Sequence, residues 1–209
     1  MNKSFIKVKS SWGHDIFNML ISQSIKSDSI VVLFPGAGYS CDKPLLHYAR
    51  KVTSLSGCDV LSLEYGYFKT NNSFNHQFIN NIIEESYEAI KLVLSNSCNN
   101  IYFISKSFGT EIAGEISRRL GYDKVNNLFL TPTPKCITHI ENSKCIVIVG
   151  TKDSVISKEE ILRIGTNHLV DLHVIDGAVH SLEIEDNFLK SLDILRKITN
   201  LYKKFVINN

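Results

Sequence analysis

The feature that most constrains this chain is a regular alternation of short apolar runs with longer segments of helical period. Ser29–Phe34 is apolar after its first residue, which is typical of a strand buried on both faces of a parallel sheet. The runs predicted as strands after the N-terminal region are Ser29–Phe34, Val60–Glu64, Ile101–Ser105, Asn127–Leu130, Cys145–Val149 and His168–Ile175. The first two apolar segments, Phe5–Lys9 and Asp15–Ile21, predict an antiparallel hairpin.

The segments between these runs have apolar residues at helical spacing. Asp42 is predicted to cap the first helix, with Pro44 in its first turn and Gly57 at its end. Later helices are predicted over about 74–95, after Ser105 to about Leu120, over Lys158–Ile164, and at the C-terminal end. The last helix is expected to place the following side chains on one side: Phe188, Leu192, Leu195, Tyr202 and Phe205.

Parallel strands need a crossover connection, which is usually a helix and usually right-handed. The order of elements therefore predicts an α/β fold with a mostly parallel central sheet, helices on both faces and antiparallel strands at the N-terminal end. The length of 209 residues fits one domain over 1–209. In such sheets binding and catalytic groups lie beyond the carboxyl ends of the strands.

Composition excludes several classes of function. A net charge of +2, with scattered Lys and Arg, does not favour a nucleic-acid partner. The five cysteines have no CxxC spacing, so neither a disulfide framework nor a metal site is indicated. No apolar run is long enough to cross a membrane, and the first ten residues contain no apolar signal segment. We expect a soluble cytoplasmic protein that needs no cofactor.

The segment Ser105-Lys106-Ser107-Phe108-Gly109 follows a predicted strand and opens a helix. It is a variant of the G-x-S-x-G turn, which lifts a serine hydroxyl above the sheet at a helix N-terminus. Ser105 stands where the first Gly is usual. The alternative interpretation is that Ser107 only caps the helix.

Two further polar residues follow later strands. Asp153 comes three residues after Gly150, and His180 lies in the loop Gly177–His180 before the last helix. Each alone could be a turn carboxylate or a solvated histidine. Together with Ser107, however, they have the order Ser, Asp, His, each after its own strand, and an Asp there can hold an imidazole in one tautomer. The sequence predicts a catalytic triad.

The loop Pro35–Tyr39 follows the first parallel strand and contains two glycines, which let a backbone approach a ligand closely. Backbone N–H groups at such a place can stabilise an oxyanion. We expect the N–H of Phe108 as one donor and that of Ala37 as the other, with Gly36 as the next choice. No Gly-Lys-Ser/Thr follows, so the loop is not a phosphate loop, and no G-x-G-x-x-G supports a dinucleotide-binding domain.

On these four motifs, from about residue 5 to 205, the chain resembles the α/β-hydrolase superfamily, above all the small serine hydrolases grouped with dienelactone hydrolases and carboxylesterases. The resemblance implies that Ser107 is the nucleophile, His180 the base and Asp153 the acid. The chain departs from the family pattern at Pro35, where a histidine is common, and at Ser105, where a glycine is usual. Only a short stretch separates Leu130 from Lys144, where relatives insert a lid, so we expect no large cap.

The expected activity is hydrolysis of a carboxylic ester or thioester of a small molecule through an acyl-enzyme on Ser107. The alternatives are an acyltransferase and a non-catalytic protein of the same fold that binds a ligand or a partner. An apolar acyl pocket is expected from Tyr39, Tyr65, Tyr67 and Phe68. No sequence pattern specifies the acyl chain length or the oligomeric state.

Overall fold

A single eight-stranded sheet forms the centre of the computed structural model, which describes residues 1–70, 75–94 and 98–207. The strands are β1 (Asn2–Lys9), β2 (Asp15–Ser22), β3 (Ser29–Phe34), β4 (Asp59–Ser62), β5 (Asn100–Lys106), β6 (Val125–Leu130), β7 (Cys145–Gly150) and β8 (Val170–Ile175). They lie in the order β1-β2-β4-β3-β5-β6-β7-β8.

The pairing confirms the predicted mostly parallel sheet. β1 and β2 form an antiparallel hairpin, and β2 pairs antiparallel with β4. All neighbours from β4 to β8 are parallel, so the carboxyl ends of these strands share one edge of the sheet. The loops that follow β3, β5, β7 and β8 are therefore brought to the same side of the molecule.

Six α-helices lie around the sheet in the part of the chain that the structure describes: α1 (Pro44–Leu55), α2 (Ile79–Val93), α3 (Gly109–Leu120), α4 (Ile137–Glu141), α5 (Lys158–Gly165) and α6 (Phe188–Ile207). α1 packs against α6 on one face, while α2, α3 and α4 pack in succession on the other. In β3, Val31 and Leu33 belong to the core on the α1 and α6 face of the sheet. Val32 and Phe34 belong to the core on the opposite face. This period of two explains why the whole run is apolar. Among the described residues, no helix is both long and apolar enough to span a membrane.

Two predicted helix boundaries differ in the structure. α1 begins at Pro44 and Lys43 precedes it without a side-chain cap, so the prediction that Asp42 caps this helix is wrong. The Asp42 carboxylate instead accepts a hydrogen bond from Arg50, 2.7 Å away. The predicted second helix begins at Ile79 in the structure rather than near 74, and its predicted ends at 74 and 95 lie outside the described residues.

The buried side of α6 also differs from the prediction. Its buried residues are Ile194, Ile198, Tyr202 and Phe205. Extended backwards by whole turns, this stripe reaches Ser191, whose hydroxyl donates to the Ile184 carbonyl. Phe188 and Leu192 lie beside the stripe and are 73% and 57% exposed. These two apolar residues were predicted to be buried from helical spacing alone. In the structure, the neighbouring positions face the core instead.

The junction from β5 to α3 is tightly packed. Ser107 has a φ of 52°, in the left-handed region that non-glycine residues rarely adopt. Two residues later, a side chain at Gly109 would meet the backbone carbonyl oxygens of Phe34 and Pro35. The turn therefore needs a residue without a side chain at 109, and it holds Ser107 in a strained conformation.

We expect Gly109→Ala to destabilise the protein by about 1–3 kcal/mol, because the added methyl group has no space beside the end of β3. Gly38→Ala is the matched control, since a side chain there meets nothing within 4 Å. Urea unfolding of both variants measures the difference. Equal stabilities of the two variants would contradict the packing described at Gly109.

We also expect Ser107→Gly to be more stable than Ser107→Ala by about 1 kcal/mol, because glycine adopts a positive φ without the steric cost of a side chain. Both variants lack the hydroxyl, so its loss does not contribute to the difference between their free energies of unfolding. A Gly variant that is less stable than the Ala variant would show that residue 107 is not held at positive φ.

Candidate active site

Ser107, His180 and Asp153 form one hydrogen-bonded line above the carboxyl edge of the sheet. His180 Nε2 lies 2.8 Å from Ser107 Oγ, and His180 Nδ1 lies 2.9 Å from each carboxylate oxygen of Asp153. A carboxylate only accepts hydrogen bonds, so Nδ1 carries the proton and Nε2 is left as the acceptor for the serine hydroxyl. The ring thus presents Nε2 to the serine hydroxyl.

Asp153 follows β7, and its side chain is fully buried. Burial alone would raise the pKa of its carboxyl group. Hydrogen bonds from His180 and from the Val155 N–H, together with the charge of Lys106, outweigh this effect and bring the pKa below its ordinary value. Asp153 is therefore ionised at neutral pH, as the orientation of His180 requires.

The loop between β8 and α6 carries His180 and is fastened to the loop of Asp153. Lys152 N–H donates to the Ala178 carbonyl at 3.0 Å, and Gly177 N–H donates to Thr151 Oγ1 at 2.7 Å. A side chain at Gly150 would collide with the Ala178 carbonyl, which explains the glycine at the end of β7. These contacts keep the imidazole and the carboxylate together.

Ser107 is held from both sides of the turn. Its N–H donates to the Leu130 carbonyl at the end of β6, and its carbonyl accepts from Thr110 Oγ1 at 2.6 Å. The side chain is partly exposed, whereas its neighbours Lys106 and Phe108 are buried. Only the hydroxyl at 107 therefore faces both solvent and His180, at the N-terminus of α3, where the helix dipole favours negative charge.

The loop after β3 forms a tight turn in which Gly36 N–H donates to the Tyr39 carbonyl at 2.9 Å. Gly36, the reserve choice as an oxyanion donor, thus has its N–H engaged within the turn. No backbone hydrogen bond between described residues uses the N–H of Ala37. Gly36 also lies against Ser107, because a side chain at 36 would be 3.4 Å from the Ser107 Cβ. Ala37 therefore remains a candidate donor beside the serine, and Phe108 immediately follows the serine in the chain.

Two of the tyrosines predicted to line an acyl pocket are buried instead. The Tyr65 hydroxyl donates to the Pro35 carbonyl at 2.9 Å, and the Tyr67 hydroxyl donates to the Ala37 carbonyl at 2.8 Å. They support the loop after β3 from beneath, because each aromatic ring packs in the core while its polar end meets a backbone oxygen. Tyr39 and Phe68 are partly exposed and remain available to a ligand.

The two residues that depart from the expected pattern have defined local contacts. Pro35 uses its carbonyl to accept from Tyr65, so this position contributes a fixed backbone to the turn. Ser105 is fully buried between strands, with Oγ 3.5 Å from the Leu128 carbonyl. A small hydroxyl side chain fits there without displacing the turn.

Lys106 and Thr131 are polar residues of the site that the sequence analysis did not single out. Lys106 is only 2% exposed although it carries an amino group, and that group donates to the Thr131 hydroxyl. A lysine at the end of an apolar strand, next to the nucleophile position, was a readable signal. Thr131 gave none, because its role depends on a φ of 45° that sequence does not specify.

Ser107 and His180 are both partly exposed. A groove of about 850 Å³ lies between β8 and α6, but its lining includes none of Ser107, Asp153 and His180. Among the described residues, no three His, Cys, Asp or Glu side chains are grouped so that they could hold a metal ion. The hydrogen-bonded line itself consists of a hydroxyl, an imidazole and a carboxylate.

No protein-family model and no curated protein matches the sequence. Solved structures do match over nearly the whole chain. An α/β serine hydrolase homologue from Coxiella burnetii is 16% identical with a TM-score of 0.71, covering 98% of this chain and 97% of that one. Est1E from Butyrivibrio proteoclasticus, with ferulic acid bound, is 11% identical with a TM-score of 0.74, covering 97% and 98%.

A third similar structure, an α/β serine hydrolase without lid from Xanthomonas campestris, is 12% identical with a TM-score of 0.67. It covers 96% of this chain and 93% of that one. At these identities the similarity establishes the architecture of the sheet and its helices. The chain has the α/β-hydrolase fold, in the form without a large cap.

Proposed function

We propose that the protein is a serine hydrolase that cleaves a carboxylic ester or thioester through an acyl-enzyme on Ser107. The observation that supports this most is the 2.8 Å contact between Ser107 Oγ and His180 Nε2, with Asp153 on the other ring nitrogen. A serine that only capped α3 would need no imidazole at this distance. The strained φ of Ser107 also supports a functional role, because such backbone strain costs stability and is concentrated at active sites.

In the proposed reaction, Ser107 Oγ attacks the carbonyl carbon while its proton passes to His180 Nε2. Asp153 stabilises the imidazolium that forms. The negative charge on the carbonyl oxygen is stabilised by the N–H groups of Phe108 and Ala37, each worth roughly 3–4 kcal/mol of barrier. His180 then protonates the leaving alcohol or thiol, and a water molecule frees the acid in a second round of the same steps.

The partial exposure of Ser107 and His180 favours a substrate whose acyl carbonyl group can be reached from the surface of the protein. Tyr39 and Phe68 are partly exposed aromatic residues in the loops after β3 and β4, and they could contact an apolar acyl chain or ring. The ferulic acid bound to Est1E makes an aromatic acyl group one useful member of a substrate screen. An acyltransferase would use the same acyl-enzyme with an alcohol in place of water.

The test is hydrolysis of p-nitrophenyl esters and acyl-CoAs of graded chain length, together with methyl ferulate. We expect turnover of at least one series. Ser107→Ala should lower kcat/KM by at least about 10⁴-fold, because no other group replaces the nucleophile. Asp153→Asn should lower kcat by about 10⁴-fold through loss of the correct tautomer.

Ser154→Ala is the matched control, because this serine is exposed and lies next to Asp153 without being part of the line. It should keep the wild-type rate. Turnover that survives in Ser107→Ala would place the reaction elsewhere. A wild-type protein that hydrolyses none of these compounds would favour the alternative of a ligand-binding protein with this fold.

A further inference from the structure

We propose that Lys106 is a positioning residue whose buried ammonium group holds the loops around Ser107 in register. The inference rests on the proposed function and extends it to a group outside the hydrogen-bonded line. The Lys106 amino group makes no hydrogen bond to Ser107, Asp153 or the His180 ring among the described residues. Its effect on catalysis would therefore pass through the loops that it joins.

Lys106 Nζ meets three separate segments of the chain. It donates to the Thr131 hydroxyl and to the His180 carbonyl oxygen, the latter at 3.0 Å. It also lies 5.4 Å from the centre of the Tyr39 ring, within the range of a cation–π contact. Since Lys106 itself ends β5, one ammonium group connects the segments that follow β3, β6 and β8 to the strand that carries Ser107.

Each of these segments helps to determine the geometry around Ser107, His180 and Asp153. The loop with Tyr39 also contains Ala37, the candidate oxyanion donor. The His180 carbonyl belongs to the residue whose ring contacts Ser107. Thr131 is held at positive φ, and its N–H donates to the Ile148 carbonyl of β7 at 2.7 Å. Small displacements of such groups cost catalysis heavily, since an error of about 1 Å can lower a rate by about 100-fold.

Lys106 is almost completely buried, and burying an ammonium group lowers the stability of the folded protein unless other contacts compensate. Burial lowers the pKa of Lys106 to about 8, although the nearby Asp153 carboxylate acts in the opposite direction. Even a buried ion pair can often be replaced by apolar residues of similar size without loss of stability. A lysine here is therefore better explained by the geometry it maintains than by the stability it adds.

Lys106→Met tests the proposal, because it keeps much of the side-chain length and removes the ammonium group. We expect kcat for the best ester to fall by about 10- to 100-fold, with KM changed less than about twofold and Tm unchanged or raised. Lys51→Met, an exposed lysine on α1, is the matched control and should keep the wild-type kcat. A purely structural role would instead lower Tm and kcat together.

A second variant keeps the test decisive if Lys106→Met does not fold. Thr131→Val removes one acceptor of the ammonium group while leaving the His180 carbonyl in place. We expect a fall in kcat of about 3- to 10-fold, and no further fall when it is combined with a folded Lys106→Met. A kcat within twofold of wild type in Lys106→Met, or in Thr131→Val if the lysine variant is unfolded, would overturn the proposal.

The pH dependence of stability gives an independent readout. The folded protein releases the Lys106 proton near pH 8, whereas the unfolded chain keeps it to about its ordinary value of 10.5. The wild type should therefore gain stability relative to Lys106→Met as pH rises through this window. The groups facing Lys106, namely Asp153, Tyr39 and His180, are the same in both proteins. A difference in Tm that is constant from pH 8 to 10 would contradict a buried ammonium group.

The outcomes also separate this inference from the proposed function. An active wild-type enzyme with an equally active Lys106→Met overturns the role of Lys106 and leaves the hydrolase intact. A wild-type protein without turnover on any tested compound, and without reaction with a fluorophosphonate, overturns both.

Discussion

The hydrogen bond between Ser107 Oγ and His180 Nε2 joins residues 73 positions apart, and it exists only because β5 to β8 are stacked in parallel. Parallel pairing brings the carboxyl ends of these strands to one edge, and the residues that follow them then meet. Apolar side chains on both faces of the sheet hold that arrangement. The packing of the core therefore sets the distance on which the proposed chemistry depends.

The parts of the site that follow strands could be predicted, because hydrophobic period reveals where a buried strand ends. Ser107, Asp153 and His180 were identified in this way. The supporting contacts were not, since they depend on packing between distant segments. Tyr65 and Tyr67 were predicted to line an acyl pocket, but their hydroxyl groups donate hydrogen bonds to the carbonyls of Pro35 and Ala37. The aromatic character of these residues can be read from the sequence, whereas the direction of their polar ends depends on packing.

The same limit explains the errors in the helices. Asp42 has a side chain suited to capping, but its carboxylate instead accepts a hydrogen bond from Arg50, which lies nearly two turns into α1. In α6, Phe188 and Leu192 match the helical spacing, while the face that meets the core is one position away. Local patterns identified both elements. Which of the neighbouring residues makes the contact depends on the surface that the helix packs against, and a single sequence does not show that surface.

Several residues at the site are held in conformations or environments that cost stability. Ser107 has positive φ, Asp153 is a buried carboxylate, and Lys106 is a buried amine. Their hydrogen bonds compensate for part of this cost by linking the loops after β5, β6, β7 and β8. Such a concentration of unfavourable groups at one edge is typical of an active site, and it agrees with the proposed hydrolase.

Treatment with a fluorophosphonate, followed by peptide mass spectrometry to locate the adduct, tests the proposed role of Ser107 most directly. Attack by an activated serine forms an oxygen–phosphorus bond and expels fluoride, while His180 takes the proton. If Ser107 is the nucleophile and His180 its base, one adduct per chain forms, on Ser107, and none forms in His180→Ala. An unmodified protein, or a label on another residue with Ser107 free, would contradict it.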